Sequence, residues 1–299
     1  NRRERLQRAY AHQELDRPAV YSRTGYPSND PTYDRLKAYL AKHSELKGNW
    51  NGRSVESPYE THVRIEPHSP DFDNQITTLR TPKGDLETTR LVSRKGQPGL
   101  DQTYYIKDHA DAERYLSLPM PEVGGDVSGF FAEEARIGDA GIVNVALGFG
   151  PGGFVNHLCG SQTFAILSVT DRDILHALCE RQMEIMLRTI RYLLAQGVGP
   201  YWGLAGEEQI TPPLHGPADF RDFVVRYEKP IIDLIHDAGG RVHIHCHGSI
   251  KKVLPMFVEM GVDVLHPFEA PTMGDVTPQE AKALAGEAIC LEGNLQIHH

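Results

Sequence analysis

From residue 140 to its end the chain repeats one pattern: a short apolar or β-branched run, then an amphipathic stretch of helical period. This alternation constrains the fold more than any other feature of the sequence. The runs are GIVNVALGF, VGPYWGLA, RVHIHCH, VDVLHPF and AICLEGNLQI. Between the first two, Leu175, Leu178, Cys179, Met186, Ile190 and Leu193 fall on one helical stripe, which Gly197 stops. Between the next two, Phe220, Phe223, Val224, Tyr227, Ile231, Leu234 and Ile235 keep helical spacing, with a kink expected at Pro230. SIKKVLPMFVEMG reads as a helix capped by Ser249, with Ile250, Val253, Leu254 and Phe257 inward. TPQEAKALAG opens on a capping box of Thr277 and Glu280, with Pro278 first in the helix.

Strands alternating with helices imply a parallel sheet with right-handed crossovers. No GxGxxG opens any strand-to-helix turn, so a (β/α)8 TIM barrel suits the α/β pattern better than a doubly wound sheet. GFGPGG at 148–153 is only superficially similar, because Pro151 spoils a phosphate cradle and the helical pattern starts later; a turn or ligand-facing loop is expected there. Upstream, RRERLQRAYAHQ reads as an N-terminal helical extension leading into a first strand at AVY. Residues 24–75 read as long connections and short helices. The period-two run around Pro82-Lys83-Gly84-Asp85 reads as an inserted β-hairpin.

The 299 residues exceed the usual ~100–200 per domain, but α/β barrels commonly run this long, so 1–299 is read as a single domain. Forty acidic residues against 31 basic give a net charge of -9, which disfavours nucleic acid as a partner. There is no apolar leader and no apolar run near the ~18 residues of a membrane span, so a cytoplasmic protein with no membrane association is expected. The four cysteines, Cys159, Cys179, Cys246 and Cys290, form no CxxC pair, which excludes a cysteine-only zinc knuckle.

In a barrel, chemistry gathers where strands end. Strand alternation points His243, His245 and His247 one way and Val242, Ile244 and Cys246 the other. His245 and His247, two imidazoles at i and i+2 on a strand end, are metal-ligand candidates, and Zn2+ is the first guess for a nitrogen-rich site. His243 lies deeper, in the core. Cys246 faces the surrounding helices and becomes a ligand only if the backbone turns early. Glu207 and Glu208 sit after the preceding strand, where one carboxylate completes a metal site or acts as acid or base. His266, Glu269 and Asp275 reach the same rim from the next strand, and Glu292, Asn294 and Gln296 from the last. Glu269 joins Glu207 and Glu208 as a candidate catalytic carboxylate; His266, Asp275, Asn294 and Gln296 are candidate substrate contacts. Four consecutive strands ending in ionisable or polar groups favour an enzyme.

The segments QELDRPAVYSR, ITPPLHGPADFRDFVVRYEKPIIDLIHDAGGRVHIHCHGS and GVDVLHPFEAPTMGDVTPQEAKALAGEAICLEGNLQI together resemble the uroporphyrinogen decarboxylase superfamily. That superfamily also holds zinc-dependent methyltransferases that move methyl groups between a corrinoid protein and a thiol or other acceptor. The resemblance covers most of the chain, is most specific from residue 200 onward, and implies a (β/α)8 barrel. In the true decarboxylases an RxxGR segment binds substrate carboxylates. Here SRTGYPSND keeps Arg23 and Gly25 but has Tyr26 in place of the second arginine, leaving Arg23 and Tyr26 as candidate substrate contacts. In the methyltransferase branch a histidine, one residue and a cysteine before glycine bind zinc. Aligned on Gly248, His245 takes the histidine position and His247 the cysteine position, with a further cysteine expected beyond residue 299. The resemblance therefore implies a metal-dependent methyltransferase or demethylase acting on a small-molecule methyl donor or acceptor. A corrinoid (cobalamin) would come in trans from a partner protein, since these residues contain no DxHxxG motif. A decarboxylase of a tetrapyrrole or smaller acid is the alternative. The last visible strand counts as the seventh, and closing a barrel needs an eighth, so a final strand–helix unit is expected beyond residue 299 unless the polypeptide is shortened.

Overall fold

The computed structural model describes residues 1–21 and 30–293. Ten strands are found among them: β1 (Leu46–Asn51), β2 (Thr61–Pro67), β3 (Phe72–Leu79), β4 (Leu86–Ser93), β5 (Leu100–Thr103), β6 (Gly141–Phe149), β7 (Tyr201–Ala205), β8 (Arg241–His245), β9 (Val264–His266) and β10 (Cys290–Leu291). Six form one parallel sheet in the order β1-β6-β7-β8-β9-β10, and Tyr21 adds a parallel bridge to Glu45 at the β1 edge. The order never reverses. A doubly wound sheet has a point where it does; a sheet wound in one direction is the barrel-like alternative.

The sheet curls until its edges meet through side chains. Glu292, just past β10, accepts hydrogen bonds from Tyr21 Oη at 2.8 Å and from Lys47 Nζ of β1 at 3.1 Å. His243 Nε2 of β8 lies 3.0 Å from the same carboxylate, and Tyr10 Oη donates to it at 3.0 Å. Backbone closure of the sheet is not seen among the described residues.

The N-terminal helix Arg2–Tyr10 starts with a capping box of Asn1 and Glu4 and buries Leu6 and Tyr10. These pack on Ile142 and Val264, with Tyr201 and Cys290 alongside, all at the starts of their strands. The helix thus plugs the N-terminal end of the sheet and leaves the C-terminal strand ends for chemistry. The outward residues Val242, Ile244, Cys246 and Leu265 join the main apolar core, against helices Pro151–Thr170, Arg172–Ala195 and Arg226–Asp237. No helix among the described residues is long and apolar enough to cross a membrane.

Several sequence expectations need correction. Residues 24–75 are not mere connections, since they contain β1, β2 and the start of β3. LKGNWN of β1 carries little apolar signal because Lys47 faces the polar interior and Gly48 lies against Glu133 and Ile137. The inserted hairpin is β3–β4, but it belongs to a four-stranded antiparallel sheet, β2-β3-β4-β5. Its strand β2 is exposed along its whole length, so it shows no buried face to read. A 20-residue helix begins at Pro151, directly after GFG. It is buried on several sides and bent at Gly160 (φ 71°), so it lacks a single apolar stripe. The helix after β8 spans only Leu254–Met260, with Val253 rather than Ser249 at its cap, because Pro255 belongs in a first turn. Pro230 sits inside the helix Arg226–Asp237, and the irregularity expected there falls earlier, as a π turn over Arg221–Val225.

Candidate active site

Parallel register fixes where the candidate groups meet. Ala205 of β7 pairs with His245 of β8, which pairs with His266 of β9. Residues just beyond these three therefore emerge at one end of the sheet, bringing Glu208, His247 and Glu269 to a common mouth. Barrel interiors are usually filled by branched apolar side chains. Here Lys47, Asn49, Asn144, His243 and Glu292 occupy the layers below, with Asn144 Nδ2 donating to Asn49 Oδ1 at 3.0 Å.

The histidines form a column. The His243 and His266 rings are stacked with centroids 5.9 Å apart, and those of His266 and His245 stack at 5.0 Å. His247 stands edge-on to His245 at 4.6 Å. His245 Nδ1 and His266 Nδ1 are 2.9 Å apart, so one ring donates and the other must be a neutral acceptor. Burial, then the neighbouring His243, pushes His266 down to about 3, which makes it neutral at ordinary pH. Burial lowers His243 as well, though Glu292 opposes this. At the rim, His247 Nδ1 lies 3.2 Å from Glu269 Oε2, which also accepts the Gly248 N–H at 2.9 Å.

The other candidates divide. Cys246 is fully buried on the outer side of the strand, where alternation placed it; its N–H continues the ladder to His266 O, and its Sγ donates to the His247 carbonyl at 3.8 Å. Burial raises the Glu208 carboxyl above its ordinary value, and backbone hydrogen bonding and the nearby His247 offset this in part. Glu207 does not reach the mouth: it is fully buried and turned towards Glu228 of the helix Arg226–Asp237. Asp275 accepts the Lys251 N–H at 2.9 Å, tying the loop after β8 to the loop after β9. Arg23, Tyr26, Asn294 and Gln296 lie outside the described residues.

Sequence reasoning passed over Lys47 and Glu228. Lys47 gave no signal in a strand that was itself missed. Glu228 did, because it stands four residues after Val224 and three before Ile231, on the stripe that packs inward.

As donors for a metal, the imidazoles of His245 and His247 have the right chemistry and proximity for zinc. They supply two positions: among the described residues, no group of three His, Cys, Asp or Glu side chains is arranged to hold an ion.

Residues 150–297, just under half of the chain, match the family model described as uroporphyrinogen decarboxylase (URO-D). No curated protein sequence matches the chain. Among solved structures, the chain is similar to a methyltransferase from Methanosarcina mazei, at 14% identity and a TM-score of 0.59, over 98% of this chain and 82% of that one. At that identity the likeness bears on the fold alone.

Proposed function

We propose that the chain, whose residues 150–297 match the uroporphyrinogen decarboxylase family model, is a (β/α)8-barrel enzyme of methyl transfer in that superfamily, with a metal ion held by His245 and His247. The observation that carries this reading is the pair of adjacent imidazoles at the mouth, their rings 4.6 Å apart, just before Gly248. Zinc suits such a nitrogen donor set, and when bound it would lower the pKa of a thiol or polarise a heteroatom that carries the methyl group.

The surrounding residues prepare that pair. His266 fixes the tautomer and orientation of His245 through the Nδ1–Nδ1 contact, and Glu269 does the same for His247. Glu208 stands near His247 as the acid or base that takes up or returns the acceptor's proton. The methyl carrier would be a corrinoid, for which these 299 residues contain no DxHxxG motif.

The family model itself favours a second reading, decarboxylation of a tetrapyrrole or smaller acid. A polycarboxylate would need cations to receive it. The described mouth offers Glu208, Glu269 and Asp275 instead, and Lys251 is engaged with Glu280 at 2.5 Å. The deciding experiment follows methylcobalamin by absorbance with a panel of thiols, and uroporphyrinogen separately. Methyl loss from the corrinoid that disappears in His245→Ala is expected. Turnover of uroporphyrinogen with no corrinoid demethylation would overturn the assignment.

A further inference from the structure

We propose that Glu207 and Glu228 share a single proton, and that this carboxyl–carboxylate pair pins the loop after β7, and so Glu208, to the helix behind it. Both side chains are completely buried. They lie within hydrogen-bonding reach of each other, and no other side chain partners any of their four oxygens. With both ionised, neither could donate. With one protonated, its O–H donates to the other's oxygen and the contact becomes a charge-assisted hydrogen bond.

The surroundings leave no other way to balance the charge. Glu207 begins the turn Glu207–Ile210, just after Gly206 at φ 97°. From the same loop the pair faces Glu208, from beyond β8 it faces Cys246, and from the helix Arg172–Ala195 it faces Cys179. All three are acidic or neutral, and no cation perturbs Glu228. On the remaining side the backbone of Gly150 closes in: a Cβ there would stand 2.0 Å from Glu228 Oε1 and 3.3 Å from Glu207 Oε1. Gly150 precedes the first turn of the helix Pro151–Thr170, whose positive end favours the one negative charge that is left. Burial raises both carboxyls above the ordinary range; the charge of Glu228 adds to this for Glu207, whereas for Glu228 the hydrogen bond with Glu207 opposes it and Glu208 adds to it.

These are positioning residues. They touch neither the mouth nor any substrate there, and the inference stands whichever reaction the mouth performs. When the shared proton leaves to solvent, two adjacent buried negative charges remain and the loop loses its hold.

The test is infrared spectroscopy of the full chain, together with its unfolding equilibrium as a function of pH. The wild type should show the C=O stretch of a protonated, buried glutamic acid at pH 7, and Glu207→Gln/Glu228→Gln should lose it. Above the ordinary carboxyl value of about 4.3, this pair holds one more proton in the folded wild type than in the unfolded chain. Relative to the double variant, the wild-type unfolding constant should therefore rise by about a further tenfold per pH unit until the folded pair ionises. The double variant should lose that slope. Absence of the band from the wild type at pH 7 overturns the proposal even if the variant does not fold. So does a band that the double substitution leaves unchanged. A band that appears only after chelator treatment would show that a cation, not a proton, bridges the pair, and would overturn it too.

Discussion

Replacing Lys47 with methionine tests what holds the curled sheet together. Lys47 and Glu292 come from opposite edges of the sheet, their side chains only 9% and 10% exposed, and they meet at 3.1 Å. Removing one member of a buried ion pair typically costs about 3–5 kcal/mol, because the other charge is left uncompensated. Tyr10, Tyr21 and His243 still contact Glu292 in the variant, so the lower end, about 3 kcal/mol, is expected. Both partners' pKa values are lowered, which favours the charged form of Glu292 but disfavours that of Lys47. Burial lowers Lys47 more than Glu292 raises it, whereas burial of Glu292 is outweighed by Lys47 and His243, which hold its carboxyl well below the usual range. The carboxylate has several donors and the ammonium one anion, so ionisation of Glu292 is the firmer inference. A depressed carboxyl contributes stability above its unfolded pKa, and that contribution is lost as pH falls towards the folded value. In Lys47→Met that loss should be complete at a higher pH and smaller in total. Urea unfolding of Lys47→Met, Glu292→Gln and the double variant is the assay, with coupling of about 1–3 kcal/mol expected for neighbours in one network. A single variant within about 0.5 kcal/mol of wild type, or strict additivity, would refute the idea that this network joins the edges.

Other expectations are local. Glu269→Gln should weaken zinc binding about 10- to 100-fold, as removal of a histidine's carboxylate partner usually does; a competition titration with a chromophoric chelator measures it. Gly152→Ala places a Cβ 2.2 Å from Phe223 O and should cost about 1–3 kcal/mol by urea unfolding, whereas Gly216→Ala, with nothing within 4 Å, should be nearly neutral. Asp263→Ala strands the Val242 N–H, bonded at 2.8 Å, and frees Arg241 and His236. A loss of about 1–3 kcal/mol is expected, seen also as faster amide exchange at Val242.

Much of the chain from β6 onward was legible because its strands and most of its helices have one buried face. Strand alternation through His243, His245 and Cys246 placed all three side chains, and the capping box at Thr277 and Glu280 was read correctly. What failed had a physical cause. β1 turns Lys47 inward, β2 has no buried face, and the helix from Pro151 is buried too evenly to show a stripe. At the site, the sequence brought His245, His247, His266 and Glu269 together at one strand end, but adjacency alone could not separate Glu207 from Glu208. Only the position of Glu228 on the facing helix sends one behind the wall and leaves the other at the mouth.

The most direct test of metal-dependent chemistry at His245 and His247 is the transition-metal content of the purified protein and of two variants. Stoichiometric zinc in the wild type, lost in both His245→Ala and His247→Ala while the fold is retained by circular dichroism, is the expected result. No bound transition metal in the wild type near neutral pH, or full retention in both variants, would contradict it.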